Sequence, residues 1–324
     1  MDINICKHFN GRIKAVLNSI SSNKWIDIQE IRLRTGKPLC FSCFGITKYA
    51  GENGCLTNEP LDGYIVTQQD IDDTFNSICQ YSIHSFQREL CGGFITVFGG
   101  HRVGLCGTAV YSDENIQSIK HISGLNFRIA RQVIGCADEI SNKLFHSGLQ
   151  SVLVIGPPSS GKTTILRDLC RHLGKRYKIS VIDERGEIAA VFNGIPQNDI
   201  GINTDVFDGY KKSDGIEMAV RVMSPEIIVC DEIGTSRDAD AIINLMNSGV
   251  KLIASAHAGG TDELKKRPYI VMLIKAGVFD HVVVLDGMKS PGTIKNIVRT
   301  DNNAETYWND TYCDNDKSDR MLYV

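Results

Sequence analysis

The chain has 324 residues, of which 42% are hydrophobic and 23% are charged. This length suggests two domains, and the composition is that of a globular protein with packed cores. The formal net charge is −3, which excludes a strong positive field that would draw nucleic acid or anionic lipid from a distance.

The sequence predicts neither an N-terminal signal peptide nor a membrane-spanning segment. Lys7, His8 and Arg12 interrupt the apolar residues at the start, unlike in a signal peptide. Apolar runs elsewhere are far shorter than the ~20 residues of a membrane span. The sequence therefore predicts a cytoplasmic protein, with a polar C-terminal tail of about 20 residues that is loosely held.

The cysteines predict reduced thiols. Their number, 11, is odd, and they are scattered along the chain rather than arranged as a disulfide framework. Cys40 and Cys43 form the one tight pair, and a structural zinc site would need a second pair at a suitable distance. We therefore expect no metal at this pair.

The first part of the chain predicts a smaller α+β domain over residues 1–133. Apolar residues at helical spacing predict a helix over residues 5–20, and the alternating stretch 26–34 predicts a half-buried strand. Thr67 and Asp70 have the spacing of a capping box at the start of a second helix. The glycine-rich stretch that follows predicts two or three short strands joined by turns.

The second part, residues 134–324, predicts a different architecture. After a helix over 137–147, short apolar runs alternate with amphipathic helical patterns, which is typical of a parallel sheet covered by helices. The predicted parallel strands are 151–155, 179–182, 226–230 and 251–256. Near the end, "HVVVLD" and "IKNIVR" predict an antiparallel pair of strands.

A phosphate-binding motif follows the first of these strands. The pattern G-x-x-x-x-G-K-[ST] lies between a strand and a helix, the setting in which backbone N–H groups surround a phosphate. Lys162 would bind the β- and γ-phosphates of ATP, and the Thr163 hydroxyl would bind Mg²⁺. The motif residues are Gly156, Pro157, Pro158, Ser159, Ser160, Gly161, Lys162, Thr163 and Thr164.

Polar side chains follow each later strand of the predicted sheet. Asp231 and Glu232 end the third strand. Asp231 is placed to provide a carboxylate for Mg²⁺, and Glu232 is placed to orient or deprotonate the water that attacks the γ-phosphate. Asp183, Glu184, Arg185 and Glu187 follow the second strand, and His257 ends the fourth. Because open parallel sheets bind ligands at the carboxyl ends of their strands, these groups are expected to meet at one edge.

Each of these residues also has a structural interpretation. The acids could cap the helices that follow them, and His257 could be a hydrogen-bonded turn residue. Repetition of polar groups at every strand end favours function for the set as a whole.

At these motifs the chain resembles the stage III sporulation protein AA family, relatives of the type II and type IV secretion ATPases. The second half carries the resemblance in "GPPSSGKTTILRDLCRHL", "VIDERGEIAA", "AVRVMSPEIIVCDEIG" and "LIASAHAGG". The first half adds "IQEIRLRTGKPL", "YSIHSFQRELCGGFITVFGGHRVGLCGTAV" and "ISGLNFRIAR". The resemblance implies a RecA-like ATPase domain preceded by a smaller domain.

The resemblance also implies roles for the strand-end residues. An acidic box of the secretion ATPases is matched by Asp183, Glu184, Arg185 and Glu187, and their histidine box is matched by His257. Their Walker B segment usually ends in Gly-Glu, whereas this chain has Asp-Glu at 231–232. Relatives often have glycine where this loop has Ser159.

The smaller domain of the secretion ATPases supplies arginines to the nucleotide. Arg102 in "GGHRVGLCG", and Arg128 and Arg131 in "NFRIAR", are the candidates here, although surface ion pairs would also explain them. The second domain offers no obvious arginine of its own, because Arg185 and Arg237 follow acids that could hold them.

The leading hypothesis is a Mg²⁺-dependent ATPase motor of the secretion type. The resemblance implies a hexameric ring that serves a membrane-bound sporulation apparatus from the cytoplasmic side. Two alternatives are a nucleic-acid-dependent RecA-like ATPase, disfavoured by the lack of an aromatic and basic tract, and a nucleotide-gated scaffold without hydrolysis. Glu232 argues against the scaffold, because a pure binder needs no carboxylate aimed at water.

Overall fold

A computed structural model describes residues 5–300, except residues 10, 52, 113, 288 and 289 and the side chain of Ser22. The C-terminal tail lies outside the described residues. The chain forms two compact units that divide between Arg131 and Gln132, and the segment Ala190–Gln197 belongs to the first unit. No helix within the described ranges is long and apolar enough to cross a membrane.

An antiparallel sheet organises the first unit. Its strand order is β4-β3-β2-β1-β7-β6-β5. The strands are β1 (Ile28–Arg34), β2 (Cys40–Cys43), β3 (Ile46–Ala50), β4 (Leu56–Thr57), β5 (Phe94–Thr96), β6 (Arg102–Ser112) and β7 (Asn115–Arg128). The helices are α1 (Gly11–Ser19), α2 (Ser22–Trp25), α3 (Gln68–Ile78) and α4 (Gln87–Cys91), with 3₁₀ turns at Ile5–His8, Pro60–Asp62 and Ile83–Phe86.

The helical residues at the start of this unit form two elements rather than one. The prediction of a single helix over residues 5–20 is wrong, because Gly11 has φ +55°, outside the right-handed helical region. A 3₁₀ turn therefore precedes α1. The capping box of α3 is confirmed, since Thr67 and Asp70 exchange side-chain to backbone hydrogen bonds.

Two glycines make the turn between β5 and β6. Gly99 and Gly100 have φ values of +87° and +76°, which residues other than glycine rarely adopt. The Gly99 amide donates to the side chain of Gln197, and the buried ring of His101 accepts from the amide of Ala130. The long β6–β7 hairpin follows, where the sequence predicted only short strands.

A mostly parallel sheet organises the second unit, as predicted. Its strand order is β10-β9-β11-β12-β8-β13-β14, and the final pair, β13 and β14, is antiparallel. The strands are β8 (Val152–Gly156), β9 (Ile179–Asp183), β10 (Thr204–Asp208), β11 (Ile227–Cys230), β12 (Lys251–His257), β13 (His281–Leu285) and β14 (Ile294–Arg299). The helices are α5 (Asp138–Leu144), α6 (Lys162–Leu173), α7 (Lys212–Met223), α8 (Ser236–Met246), α9 (Thr261–Leu264) and α10 (Pro268–Lys275).

The parallel pairing places the functional candidates side by side. Strands β9, β11, β12 and β8 are consecutive neighbours and run in the same direction. Strands β8, β9 and β11 are buried along their whole length, which explains their continuous apolar runs. Their carboxyl ends therefore share one edge of the sheet, and the residues that follow them can meet there.

Candidate functional site

The glycine-rich loop connects β8 to α6 in a conformation that its sequence requires. Gly161 has φ +93°, and a Cβ atom there would lie 2.8 Å from the backbone nitrogen of Gly292. The Gly292 amide donates to the Ser160 carbonyl at 2.8 Å. Ser159 has φ +60°, a conformation that glycine adopts more readily. Gly292, in the turn between β13 and β14, thus packs directly on this loop.

Lys162 is held inside the loop. Its ammonium donates to the carbonyl oxygens of Gly156 and Pro157, both at 2.9 Å, and its side chain is buried. Burial lowers the pKa of Lys162, while the negative charges of Asp231 and Glu232 oppose this shift. A buried ammonium beside the backbone amides of a helix N-terminus suits a multiply charged anion such as a phosphate.

The hydroxyl of Thr163 and the carboxylate of Asp231 form a hydrogen-bonded pair in the same site. The Thr163 hydroxyl donates to Asp231 Oδ2 at 3.2 Å. The other carboxylate oxygen accepts from Ser255 Oγ at 2.7 Å and from the Glu232 amide at 2.9 Å, which fixes the orientation of the carboxylate. A hydroxyl and an anchored carboxylate are the oxygen donors that Mg²⁺ takes beside phosphate, so these residues fit that ion.

His257 connects Lys162 to the strand-end glutamate. Its Nδ1 atom lies 3.2 Å from Lys162 Nζ, and its Nε2 atom lies 3.3 Å from Glu232 Oε2. Because an ammonium can only donate, Nδ1 accepts and the ring proton sits on Nε2, facing the carboxylate. Arg185 Nη1 lies 3.5 Å from the same oxygen of Glu232. The carboxylate of Glu232 is thus held from two sides.

These groups surround one open cavity of about 400 Å³. Its volume is within the range of small-molecule sites. The cavity is lined by Pro158, Ser159, Gly161, Lys162, Thr163, Thr164, Arg185, Glu187, Asp231, Glu232, His257 and Pro291. Candidates from all four neighbouring parallel strands therefore meet, as the strand-end pattern predicted.

The acids at the end of β9 and in the loop after it lie in three different environments. Glu187 lines the cavity, whereas Glu184 pairs with the buried ammonium of Lys212 at 2.6 Å and is absent from the cavity lining. Asp183 is fully buried, and its carboxylate accepts hydrogen bonds from the backbone N–H groups of the loop that follows. Sequence reasoning could not separate these acids, because all of them follow the same strand within a few residues.

The arginine candidates of the first unit have partners within that unit. Arg102 and Arg128 are directly opposite on β6 and β7, so their side chains share one face of the sheet. The Arg102 guanidinium lies 4.8 Å from the ring centre of Phe94, and Arg128 Nε lies 3.4 Å from Glu30. Arg131 instead donates to the backbone carbonyls of Trp25 and Ile28, at 3.1 and 2.7 Å.

Some residues of the site had no clear signal in the sequence. Ser255, which orients Asp231, looks like any small residue of a buried strand. Arg185 was expected to be held by an acid, and it is, yet it also lines the cavity. Pro291 lines the cavity from a turn that is distant in sequence, and only the pairing of β13 with β8 brings it there.

Comparison with known sequences gives a match over nearly the whole chain. The family model described as "Sporulation stage III, protein AA" matches residues 2–304. Stage III sporulation protein AA of Bacillus subtilis (strain 168) is 35% identical over 298 residues, which cover 90% of this chain and 93% of that protein.

Comparison with solved structures identifies the fold. The pilus retraction motor PilT, solved with bound ADP, superposes with a TM-score of 0.59 at 14% identity, covering 85% of this chain and 78% of that one. The ATPase DotB of Legionella pneumophila gives a TM-score of 0.53 at 14% identity, covering 85% of this chain and 75% of that one. The fold is that of the RecA-like secretion ATPases, with a smaller α+β domain that precedes the RecA-like domain in the sequence, as expected.

Proposed function

The chain belongs to the Sporulation stage III, protein AA family, and from this membership and the geometry of the cavity we propose that it is a Mg²⁺-dependent ATPase motor. The observation that carries the proposal is the convergence of three kinds of group on one cavity. These are an ammonium in a glycine-rich loop, a hydroxyl–carboxylate pair, and a second carboxylate held by a histidine and an arginine.

Nucleotide binding is assigned to the loop between Gly156 and Thr164. Its backbone amides and the N-terminus of α6 favour the phosphates, and Lys162 exchanges its loop carbonyls for phosphate oxygens. Thr163 and Asp231 would hold Mg²⁺, which neutralises charge on the β- and γ-phosphates when it is bound. Ser255 keeps the Asp231 carboxylate in the orientation that this contact needs.

Hydrolysis is assigned to Glu232. Its carboxylate would accept a proton from the attacking water or orient that water, the role of strand-end acids in related phosphate chemistry. His257 and Arg185 hold the carboxylate in place and prevent it from pairing with Lys162. Glu187 lines the same cavity and is assigned a supporting role, whereas the ion pair with Lys212 favours a structural role for Glu184.

The first unit would link the nucleotide to movement. Two like charges, Arg102 and Arg128, are directly opposite each other, and such a pair is stabilised by binding an anion. We assign these arginines to the phosphates of a nucleotide, in the same chain or in the neighbouring subunit of a ring. Arg131 is a weaker candidate, because backbone carbonyls already take its donors.

The biological setting follows from the relatives. A protein named for sporulation is 35% identical to this chain, and the similar fold of PilT belongs to a pilus retraction motor. We propose that this chain forms a homo-oligomeric ring, hexameric as in the secretion ATPases, on the cytoplasmic side of a membrane-bound sporulation apparatus. The alternative is a nucleic-acid-dependent ATPase of the same fold.

One experiment separates these possibilities. ATP turnover by the full chain is measured with and without Mg²⁺ and single-stranded DNA, and the mass of the particle is measured with ATP and with ADP. The proposal expects Mg²⁺-dependent turnover that DNA does not change, together with a multiple of the 35.8 kDa chain. Stimulation by DNA would favour the alternative, and absence of turnover in the assembled particle would contradict an ATPase.

A further inference from the structure

The loop Glu184–Ala189 carries two of the cavity residues. Arg185 and Glu187 lie on it, and both line the cavity. The loop leaves β9 and leads directly into the segment Ala190–Gln197, which belongs to the first unit, before the chain returns to the second unit at Asn198. Because this loop connects β9 to a segment of the other unit, its side chains keep their positions at the cavity only if its backbone is held by hydrogen bonds.

Asp183 supports the loop through its backbone amides. One carboxylate oxygen accepts from the Glu187 amide at 2.8 Å, and the other accepts from the Ile188 and Ala189 amides at 3.1 and 2.8 Å. Asp183 is 0% exposed. Burial raises the pKa of Asp183, and the three amide donors oppose that rise.

Arg167 and Asn198 support the same residues through their carbonyl groups. Arg167 Nη2 donates to the Glu187 carbonyl at 2.7 Å, and its Nε donates to the Ile188 carbonyl at 3.0 Å. The Asn198 side chain also donates to the Ile188 carbonyl, at 2.8 Å, and its amide donates to the Ala189 carbonyl at 3.2 Å.

Every backbone polar group of three consecutive residues thus has a partner in the second unit. The N–H and C=O groups of Glu187, Ile188 and Ala189 all form hydrogen bonds with Asp183, Arg167 or Asn198. We call these three partner residues the loop clamp. Leaving a buried polar group unpaired costs free energy, so the clamp favours one loop conformation. Arg167 lies on α6, five residues after Lys162, so the loop is tied to the helix that begins at the phosphate site.

We propose that Asp183, Arg167 and Asn198 are positioning residues that hold Arg185 and Glu187 at the cavity for a nucleoside triphosphate. This inference rests on the proposed ATPase function. The loop clamp also fixes the points where the chain leaves and re-enters the second unit, Ala189 and Asn198, to each other. Residues of α6 and β9 therefore set the conformation of the loop Glu184–Ala189. The exchange rates of the last amides of the loop show whether this conformation is kept.

The test uses Asp183→Asn and Arg167→Lys in the full chain. Asparagine keeps the size of the side chain but replaces one acceptor oxygen with a donor, and lysine keeps the charge but lacks the planar pair of donors. Arg171→Lys is the matched control, because Arg171 lies on the same helix and its Nε binds Asp168 at 2.7 Å rather than the loop.

Amide exchange and two affinities are measured for each variant. We expect the Ile188 and Ala189 amides to exchange at least about 10-fold faster in Asp183→Asn, since they lose an acceptor. The affinity for a non-hydrolysable ATP analogue should fall about 10-fold while that for ADP stays within about threefold, and turnover should fall about 10- to 100-fold. Arg167→Lys should follow the same pattern more weakly, and Arg171→Lys should leave all of these values unchanged.

Two results would overturn the inference. The first is wild-type exchange at Ile188 and Ala189 in both clamp variants, and the second is an analogue-to-ADP affinity ratio that stays at the wild-type value in both. If Asp183→Asn does not fold, Arg167→Lys decides alone. If the wild-type chain hydrolyses no ATP, the proposed function fails, whereas the exchange rates and the affinity ratio still decide the role of the clamp.

Discussion

The Nε2 atom of His257 lies 3.3 Å from a carboxylate oxygen of Glu232, and its Nδ1 atom lies 3.2 Å from Lys162 Nζ. One imidazole ring therefore separates the ammonium from the carboxylate. A direct ion pair between Lys162 and Glu232 would neutralise the two groups on which binding and hydrolysis depend. The arrangement leads to separate expectations for each of the three residues.

Glu232→Gln is expected to bind nucleotide and lose hydrolysis. The amide cannot act as a base for water, while Lys162, Thr163 and Asp231 remain to bind nucleotide. Measured ADP affinity should stay within about threefold of wild type, and turnover should fall by about 10²–10⁴-fold. Glu217→Gln, an exposed change on α7, serves as the control. Equal turnover by Glu232→Gln and the wild-type chain would remove Glu232 from the reaction.

Lys162→Ala is expected to lose nucleotide binding. The variant removes the only cation among the loop residues 156–164, and charge-assisted hydrogen bonds to phosphate are lost with it. Titration calorimetry should show ADP affinity reduced by about 10- to 100-fold. Lys175→Ala, an exposed change just beyond the end of α6, should bind like wild type. Unchanged affinity in Lys162→Ala would mean that phosphate binds elsewhere.

Arg102→Ala is expected to retain ADP binding and slow hydrolysis severely. Arginines that stabilise the transferring phosphate contribute roughly 10³–10⁵-fold in other NTPases. Arg102→Lys should rescue little, because an ammonium lacks the planar fork of a guanidinium. Turnover and ADP affinity are measured for both variants beside Arg32→Ala, which removes an exposed arginine from β1. Normal turnover in Arg102→Ala would exclude a role of this residue in hydrolysis.

The ionised carboxylate of Asp168 makes a contribution to the stability of the second unit that is lost at acidic pH. Burial alone would raise the pKa of Asp168, but hydrogen bonds from Arg171 and from the Ala137 and Gly135 amides outweigh burial and lower it. Because the pKa in the folded state is below that in the unfolded state, the stabilisation is present above the unfolded value near 3.8. It is lost as the pH falls through the folded value.

Asp168→Asn should therefore reduce the free energy of unfolding by about 2 kcal/mol at pH 7. The difference from wild type should shrink as the pH falls from 3.8 toward the lowered pKa, at which the carboxylate of the folded chain takes up its proton. Denaturant unfolding at a series of pH values measures both quantities. A difference that stays constant down to pH 2 would show that the charge of Asp168 does not contribute.

Cys40 and Cys43 are expected to carry no metal. Both thiols are buried on β2, Cys40 accepts a hydrogen bond from Arg34 at 3.3 Å, and burial raises the pKa of Cys43. The raised pKa of Cys43 favours its thiol over the thiolate that binds zinc. Elemental analysis of the purified chain should find no stoichiometric zinc. Zinc at one atom per chain that disappears in a Cys40→Ala, Cys43→Ala variant would contradict this prediction.

The sequence by itself determined the parts of this protein that depend on local pattern. Continuous apolar runs predicted the buried parallel strands, and the residues after them predicted most of the cavity lining, including Lys162, Asp231, Glu232 and His257. These predictions succeeded because parallel strands bring their carboxyl ends to one edge whatever the rest of the fold does. Residue chemistry and strand direction were sufficient.

Only the tertiary structure decided which neighbouring residues reach the cavity. Glu184 and Glu187 follow the same strand, yet Glu184 pairs with Lys212 and Glu187 lines the cavity. The difference depends on hydrogen bonds from Arg167 and to Asp183, and on where the chain continues after Ala189. Such contacts join residues that are distant in sequence, so no local pattern records them, and the conformation of a loop follows from the partners that satisfy its backbone.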